Sequence, residues 1–202
     1  DDIDLVQRQH DGGSRGGGLD RNNDIVFLMV DLDHFKPVND AHGHVAGDRM
    51  LLEVRDVLIG ACRSSDVVIR WGGDEFLVIG REATGTEVSS LAERIRSRIE
   101  SHVFELGNGA VAHTTCSVGF ASYPFLGTQP DLVSWEQVLG IADIAMYRAK
   151  EARNSWVGIH GEHWAGSAEA LFQGLQDRAR ALAVAGHVRL EQPGQDLARR
   201  LA

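Results

Sequence analysis

The stretch "RWGGDEFLVIG", Arg70 to Gly80, sets two glycines and two acids between two apolar runs. Upstream, Val67, Ile69 and Trp71 alternate up to Gly72 and Gly73, and downstream Phe76 to Ile79 is continuously apolar. Two strands joined through Gly72 and Gly73 form a β-hairpin. Asp74 and Glu75 then lie at its tip. A second run, Ile25 to Val30 in "DIVFLMVDLDHF", reads as a strand buried on both faces, and it ends abruptly in Asp31 and Asp33. The strand period of two puts both of these acids on one face. If this strand neighbours the hairpin, three or four carboxylates converge at one sheet edge. Such a cluster repels itself unless a cation joins it. Oxygen-only ligands favour Mg²⁺, Mn²⁺ or Ca²⁺, and Mg²⁺ commonly arrives with substrate phosphates. Glycines without Cβ atoms leave room for a nucleotide to come close.

The segment between the two acidic pairs, "HFKPVNDAHGHVAGD" from His34 to Asp48, adds candidates. Lys36 is near enough to Asp31 along the chain to balance phosphate charge. Asn39 and Asp48 pair an amide with a carboxylate, which matches the acceptor and donors on guanine's edge. Asp48 also reads as a helix N-cap or first-turn acid. Pro37 follows Lys36 directly. His42 and His44 lack a nearby cysteine or third histidine, so zinc is not expected.

Elsewhere the pattern alternates strands and helices. Met50, Val54, Val57, Leu58 and Ala61 recur at helical spacing, as do Val88, Leu91, Ala92, Ile95 and Ile99. Thr114, Cys116, Val118 and Phe120 alternate as a half-buried strand. Ser134 and Gln137 form a capping box ahead of a helix that buries Val138, Ala142, Ala145, Met146 and Ala149. Ser155–Gly161 reads as the last strand. Leu171, Leu175, Ala179 and Leu182 suggest a short amphipathic helix, followed by a polar tail. The order implies an α/β (α+β) domain with a mixed, largely antiparallel sheet packed by helices.

The 202 residues suffice for one domain with a real core plus an appendage. We divide them into a helix remnant and glycine-rich loop at 1–23, a domain at 24–161, and a helical extension with polar tail at 162–202. The loop Asp11–Asp24 has five glycines but no following Lys-Ser/Thr, which argues against a phosphate cradle. The chain opens with Asp1 and reads as a piece of something longer. A net charge of −9 argues against a broad nucleic-acid footprint. No apolar run is long enough to span a membrane. Cys62 and Cys116 read as buried free thiols, which fits a reducing cytoplasm.

These residues resemble a known family. "RWGGDEF", Arg70–Phe76, is similar to the signature of GGDEF domains, the diguanylate cyclases. "DLDHFKPVNDAHGHVAGD", "CSVGFA" (Cys116–Ala121) and "ADIAMYRAK" (Ala142–Lys150) are similar to its other motifs, in the same order. The resemblance implies a central, mostly antiparallel five-stranded sheet flanked by helices, akin to the nucleotidyl cyclase and polymerase palm. It implies Mg²⁺ or Mn²⁺, GTP as substrate, cyclic di-GMP as product and inhibitor, and a homodimer for catalysis. An upstream sensor or receiver domain is implied for the parent protein.

Carried onto this chain, the resemblance makes Asp31, the Leu32 carbonyl, Asp74 and Glu75 the metal site. Asp74, Glu75 and Lys36 become catalytic. Asn39, His44, Asp48, Gly72, Gly73, Lys150 and Arg153 become substrate-binding, and Arg63, Asp66 and Arg94 become the inhibitory product site. Three departures stand out, one of them Pro37 directly after Lys36, which would stiffen that turn. The family's opening motif, D-x-L-T-G-L-x-N-R, is absent, and Asp1–His10 resembles the end of the helix that follows it. The family's Gly-Arg-Asn after the motif lysine is shortened here, since "AKEARNSW" lacks the Gly. The alternative is a weak or inactive module of the same fold that senses cyclic di-GMP or GTP. A purely structural dimerisation domain would require all four acids to be accidental.

Overall fold

The computed structural model describes residues 24–81, 85–107 and 109–194. The expected helix end at Asp1–His10, the glycine-rich loop up to Asn23 and the last residues of the polar tail lie outside the described residues.

The Ile25–Val30 run forms the middle of β1, Ile25–Asp33, and every residue of that strand is buried. The pleat sorts its side chains. Val26, Leu28, Val30 and Leu32 enter one core with α2 (His44–Ala61) and α3 (Gly85–Ser101). Ile25, Phe27 and Met29 enter a second core with α4 (Trp135–Ala152) and α5 (Ala168–Val184). Helices on both faces explain why the run is continuous rather than alternating. Each large apolar side chain fully buried here contributes roughly 1.5–3 kcal/mol relative to exposure.

The hairpin forms as the sequence suggests, from β2 (Val67–Gly72) and β3 (Glu75–Arg81), and β3 pairs antiparallel with β1. On the other side of β1 runs β6, Thr115–Tyr123, also antiparallel. It is followed by α4 and then by β7, Ser155–Gly161, which lies parallel to β6 because a helical crossover separates them. A separate two-stranded ribbon pairs β4 (Phe104–Gly107) with β5 (Ala110–Ala112). The short α1, Phe35–His42, links β1 to α2.

The structure corrects three expectations. The sheet has six strands rather than five, in the order β2-β3-β1-β6-β7-β8. The sixth, β8 (Val188–Glu191), pairs antiparallel with β7, so Ser155–Gly161 is not the last strand and the expected tail begins later. The Glu191 carboxylate accepts from Ser89 Oγ of α3 at 2.5 Å and from Arg189 Nη1 at 3.1 Å, and it lies 2.9 Å from His160 Nε2 of β7. Those bonds join the burial of Val188 and the packing of Leu190 against the second core in holding the strand. Third, β6 is buried on both faces from Cys116 to Ala121 instead of half-buried, because α3 and α4 cover its two sides. The Ser134 box forms in both directions, at 3.0 and 3.3 Å.

Glycine 119 sets the distance between α4 and the sheet. A Cβ there would lie 1.9 Å from the Met146 nitrogen and 2.3 Å from the Ala142 carbonyl oxygen, both backbone atoms that cannot yield. Gly119→Ala is expected to lower unfolding stability by about 3 kcal/mol or more, read as a shifted urea midpoint. A midpoint unchanged within error would contradict this packing.

Candidate active site

Asp31 stands opposite Glu75 in the β1–β3 register, and the Leu32 N–H donates to the Asp74 carbonyl oxygen at 3.3 Å. The acids at the end of one strand and at the tip of the hairpin therefore share one sheet edge. The pleat sends Asp31 to the face covered by α4, whose last turn carries Lys150. Lys150 Nζ lies 2.8 Å from Asp31 Oδ2. Burial pushes the Asp31 carboxyl up to about 6; the Lys150 ammonium opposes that rise, while the charges of Asp74 and Glu75 add to it. Lys150 is raised in turn: its burial works against the charge, and its bond and attraction to Asp31, with Asp74 and Glu75 behind, outweigh that.

The hairpin tip has a defined shape. Gly73 has φ +45, a left-handed conformation that favours glycine. Gly72 has no such requirement, and a Cβ on either glycine would meet nothing within 4 Å. Internal packing thus gives no reason for the second glycine. Arg70, which sequence reasoning did not single out, clamps the turn: its Nε and Nη2 donate to the Gly73 carbonyl at 3.1 and 2.9 Å. An arginine two residues ahead of a glycine pair was the available signal. Trp71 sits at the bulge between these bonds, 50% exposed.

The second cluster lies on the turn after β1. Lys36 is exposed in the first turn of α1, where Pro37 is tolerated because its missing N–H has no helical partner to lose. Asn39 Oδ1 is buried without a partner, in the space that a Cβ on Gly47 would occupy, 1.8 Å away. His44 opens α2 and Asp48 follows one turn later, both exposed. Asp48 is not an N-cap, as that position belongs to Gly43. Spacing of four places His44 and Asp48 on the same helix face.

Asp33 departs from the converging-carboxylate expectation. It accepts from Thr115 Oγ1 at 2.5 Å, Ser117 Oγ at 2.9 Å and the Asn154 N–H at 2.9 Å. Arg153, the C-cap of α4, points its Nη1 to His34 Nε2 at 2.9 Å. Among the described residues no group of three or more metal-ligating side chains is already gathered in coordination geometry.

Arg63, Asp66 and Arg94 line one open cleft of about 230 Å³, with Arg81 and Glu87. The Arg63 N–H donates to Asp66 Oδ2 at 2.7 Å, and its Nη2 pairs with Glu87 at 2.7 Å. Arg94 Nε donates to the Ala61 carbonyl at 2.7 Å. Neighbouring Cys62 is a free thiol that burial pushes up to about 11, and Cys116 is buried and free. No helix among the described residues is long and apolar enough to cross a membrane.

The order of this six-stranded, mostly antiparallel sheet and its flanking helices define a palm-like α+β domain. The family model "Diguanylate cyclase, GGDEF domain" matches residues 16–155, and this chain belongs to the GGDEF family. It is 41% identical over 126 residues to diguanylate cyclase DosC of Escherichia coli K12, which covers 62% of this chain and 26% of that protein. The chain thus spans about a quarter of that relative. The GGDEF domain of PA1120 (YfiN or TpbB) from Pseudomonas aeruginosa superposes with TM-score 0.61 at 30% identity, covering 75% of this chain and 86% of the other. The GGDEF domain of DgcB from Caulobacter crescentus, solved in complex with c-di-GMP, superposes with TM-score 0.62 at 26% identity, over 75% and 81%.

The Asp31–Lys150 pair makes a titration prediction. The Lys150 bond and charge both favour ionised Asp31, so Lys150→Met should move the Asp31 carboxyl above its value of about 6. Carbon-13 NMR of the carboxyl, followed against pH without divalent cations, reads this. A variant value near the ordinary ~3.9 would contradict the pairing.

Proposed function

We propose that this chain is the catalytic domain of a cytoplasmic diguanylate cyclase, condensing two GTP into cyclic di-GMP and two pyrophosphates between two facing copies. The observation that carries the reading is the register of β1 against the hairpin, which brings Asp31, Asp74 and Glu75 to one edge. The donor set suits Mg²⁺ or Mn²⁺: the carboxylates of Asp31, Asp74 and Glu75 with the Leu32 carbonyl are all hard oxygens, and their mutual repulsion calls for a cation. When bound, the ion supplies charge neutralisation at the phosphates.

The remaining roles fall to this chain's own side chains. Gly72 and Gly73 leave open space above the turn for the nucleotide. Asn39, His44 and Asp48 hold the base end. Asp74 promotes loss of the proton from the 3′-hydroxyl, with Glu75 supporting the site. The 3′-oxygen then forms a bond to the α-phosphorus of the other GTP, and the bond from that phosphorus to the bridging oxygen of pyrophosphate breaks. Lys36 offsets charge in the transition state, and Lys150 and Arg153 hold the terminal phosphates. A second round between the same partners closes the ring. Product returns to the cleft of Arg63, Asp66 and Arg94, where planar guanidinium groups suit phosphate and guanine. An upstream sensor or receiver domain would control how the two copies meet.

One observation favours a sensor without turnover. Both cations of the phosphate end are held by the chain's own groups, Lys150 by Asp31 and Arg153 by His34.

The parent protein with GTP and Mg²⁺ should yield cyclic di-GMP by chromatography, and Asp74→Ala should cut turnover by about a thousandfold or more. Arg63→Ala should raise the inhibitory concentration of added cyclic di-GMP by about tenfold or more. Wild-type turnover in Asp74→Ala would overturn the catalytic assignment. No product from the parent, with product binding that Arg63→Ala destroys, would establish the sensor instead.

A further inference from the structure

The bend that follows α4 is strained. Arg153 has φ 56 and ψ 165, a region of backbone space that is essentially reserved for glycine. Asn154 follows with φ 42, also left-handed. A chain holds non-glycine residues in this way only where its surroundings over-determine them.

The surroundings here do so. The Asn154 N–H donates to Asp33 Oδ2 at 2.9 Å. Its side-chain amide is used at both ends: Nδ2 donates to Glu100 Oε1 at 2.6 Å, and Oδ1 accepts from Arg96 Nη1 at 2.8 Å. Arg96 is itself held by Glu93 and Glu100. One residue earlier, Arg153 meets His34 at 2.9 Å. Consecutive residues of the β1–α1 turn therefore grip consecutive residues of the α4–β7 turn: Asp33 takes Asn154, and His34 takes Arg153. Asp33 is 5% exposed, and its carboxylate is already occupied by Thr115, Ser117 and Asn154. A buried carboxylate with three donors is satisfied without a cation.

We propose that Asp33 is a positioning residue, whose carboxylate fixes the Asn154 bend and thereby sets where the Arg153 guanidinium stands, against His34 at the exit of β1. It shares residue type and strand face with Asp31, yet its part in catalysis runs through the backbone of a loop more than a hundred residues away. The inference rests on the reading of Arg153 as a phosphate-end cation.

The test uses the full-length parent and four variants: Asp33→Asn, Arg153→Gly, their double, and Asn154→Asp. The readouts are GTP KM and kcat, the affinity for a non-hydrolysable GTP analogue by calorimetry, and the melting temperature. Arg153→Gly removes the guanidinium and relieves the strain, so it should melt about 2–4 °C higher while binding the analogue about tenfold more weakly. Asp33→Asn should weaken binding by a similar factor. The double variant should bind no more than about twofold worse than Arg153→Gly, because nothing is left to position. Additive effects in the double variant, or an Asp33→Asn enzyme that melts lower with unchanged KM and affinity, would overturn the proposal.

If Asp33→Asn fails to fold, Asn154→Asp takes its place, and a second double with Arg153→Gly completes the same cycle. It sets a carboxylate against Glu100 and loosens the bend from its surface side. A parent that neither binds the analogue nor makes product would sink the functional reading and this inference with it. An active parent with an additive cycle would sink this inference alone.

Discussion

Buried carboxylates at the end of an apolar strand are the constraint around which this domain is arranged. β1 runs through two cores at once, and its pleat delivers Asp31 and Asp33 to the face that α4 covers. Neither can stay charged there alone, since a buried charge is costly unless it is paired or hydrogen-bonded. The two solve this differently. Asp33 takes hydroxyls from β6 and an amide from the α4–β7 turn. Asp31 takes a single ammonium, from Lys150, and remains raised to about 6. One acid is held by three hydrogen-bond donors, whereas the other is held by one half-exposed ammonium at the mouth of the site.

The same contrast explains why the helix must lie where it does. Lys150 and Arg153 can reach the β1 end only if α4 lies flat on β6, and Gly119 permits that contact. The spacing of helix and sheet at Gly119 is thus tied to the position of cations about one to three turns further on. Packing and site chemistry share one geometric variable here, which is how a change remote from the acids would be felt by them.

Much of the frame was legible in the sequence. The β1 run, the glycine hairpin, the helical stripe from Met50 to Ala61 and the Ser134 box are local patterns, and each has a local cause. The acidic edge was legible too, because an apolar strand ending in acids and a glycine turn ending in acids are both short-range signals. Strand β8 was not. Val188–Glu191 contains Arg189 and Glu191 and shows no apolar run; its place is fixed by pairing with β7, by Val188 in the second core, and by the contacts of Glu191 with Ser89 and His160. The double burial of β6 was also hidden, since its alternation with Ser117 and Gly119 looks half-polar. Ser117 is in fact spent on Asp33, and Gly119 lies under α4. Nor could sequence separate Asp31 from Asp33. Their difference lies in donors that arrive from Thr115, Ser117 and Asn154.

The shortened turn after α4 can be understood in the same terms. A glycine would have entered the positive-φ region without strain, and its absence forces Arg153 into it, at roughly 1–3 kcal/mol. Three bonds on Asn154, all of them with charged side chains, offset a cost of that size, because hydrogen bonds to charged groups contribute about 1.5–3 kcal/mol each. Loss of the glycine therefore need not release the loop. It makes the bend depend on the carboxylate of Asp33 and the guanidinium of Arg96, where a glycine-containing turn would have depended on its own backbone.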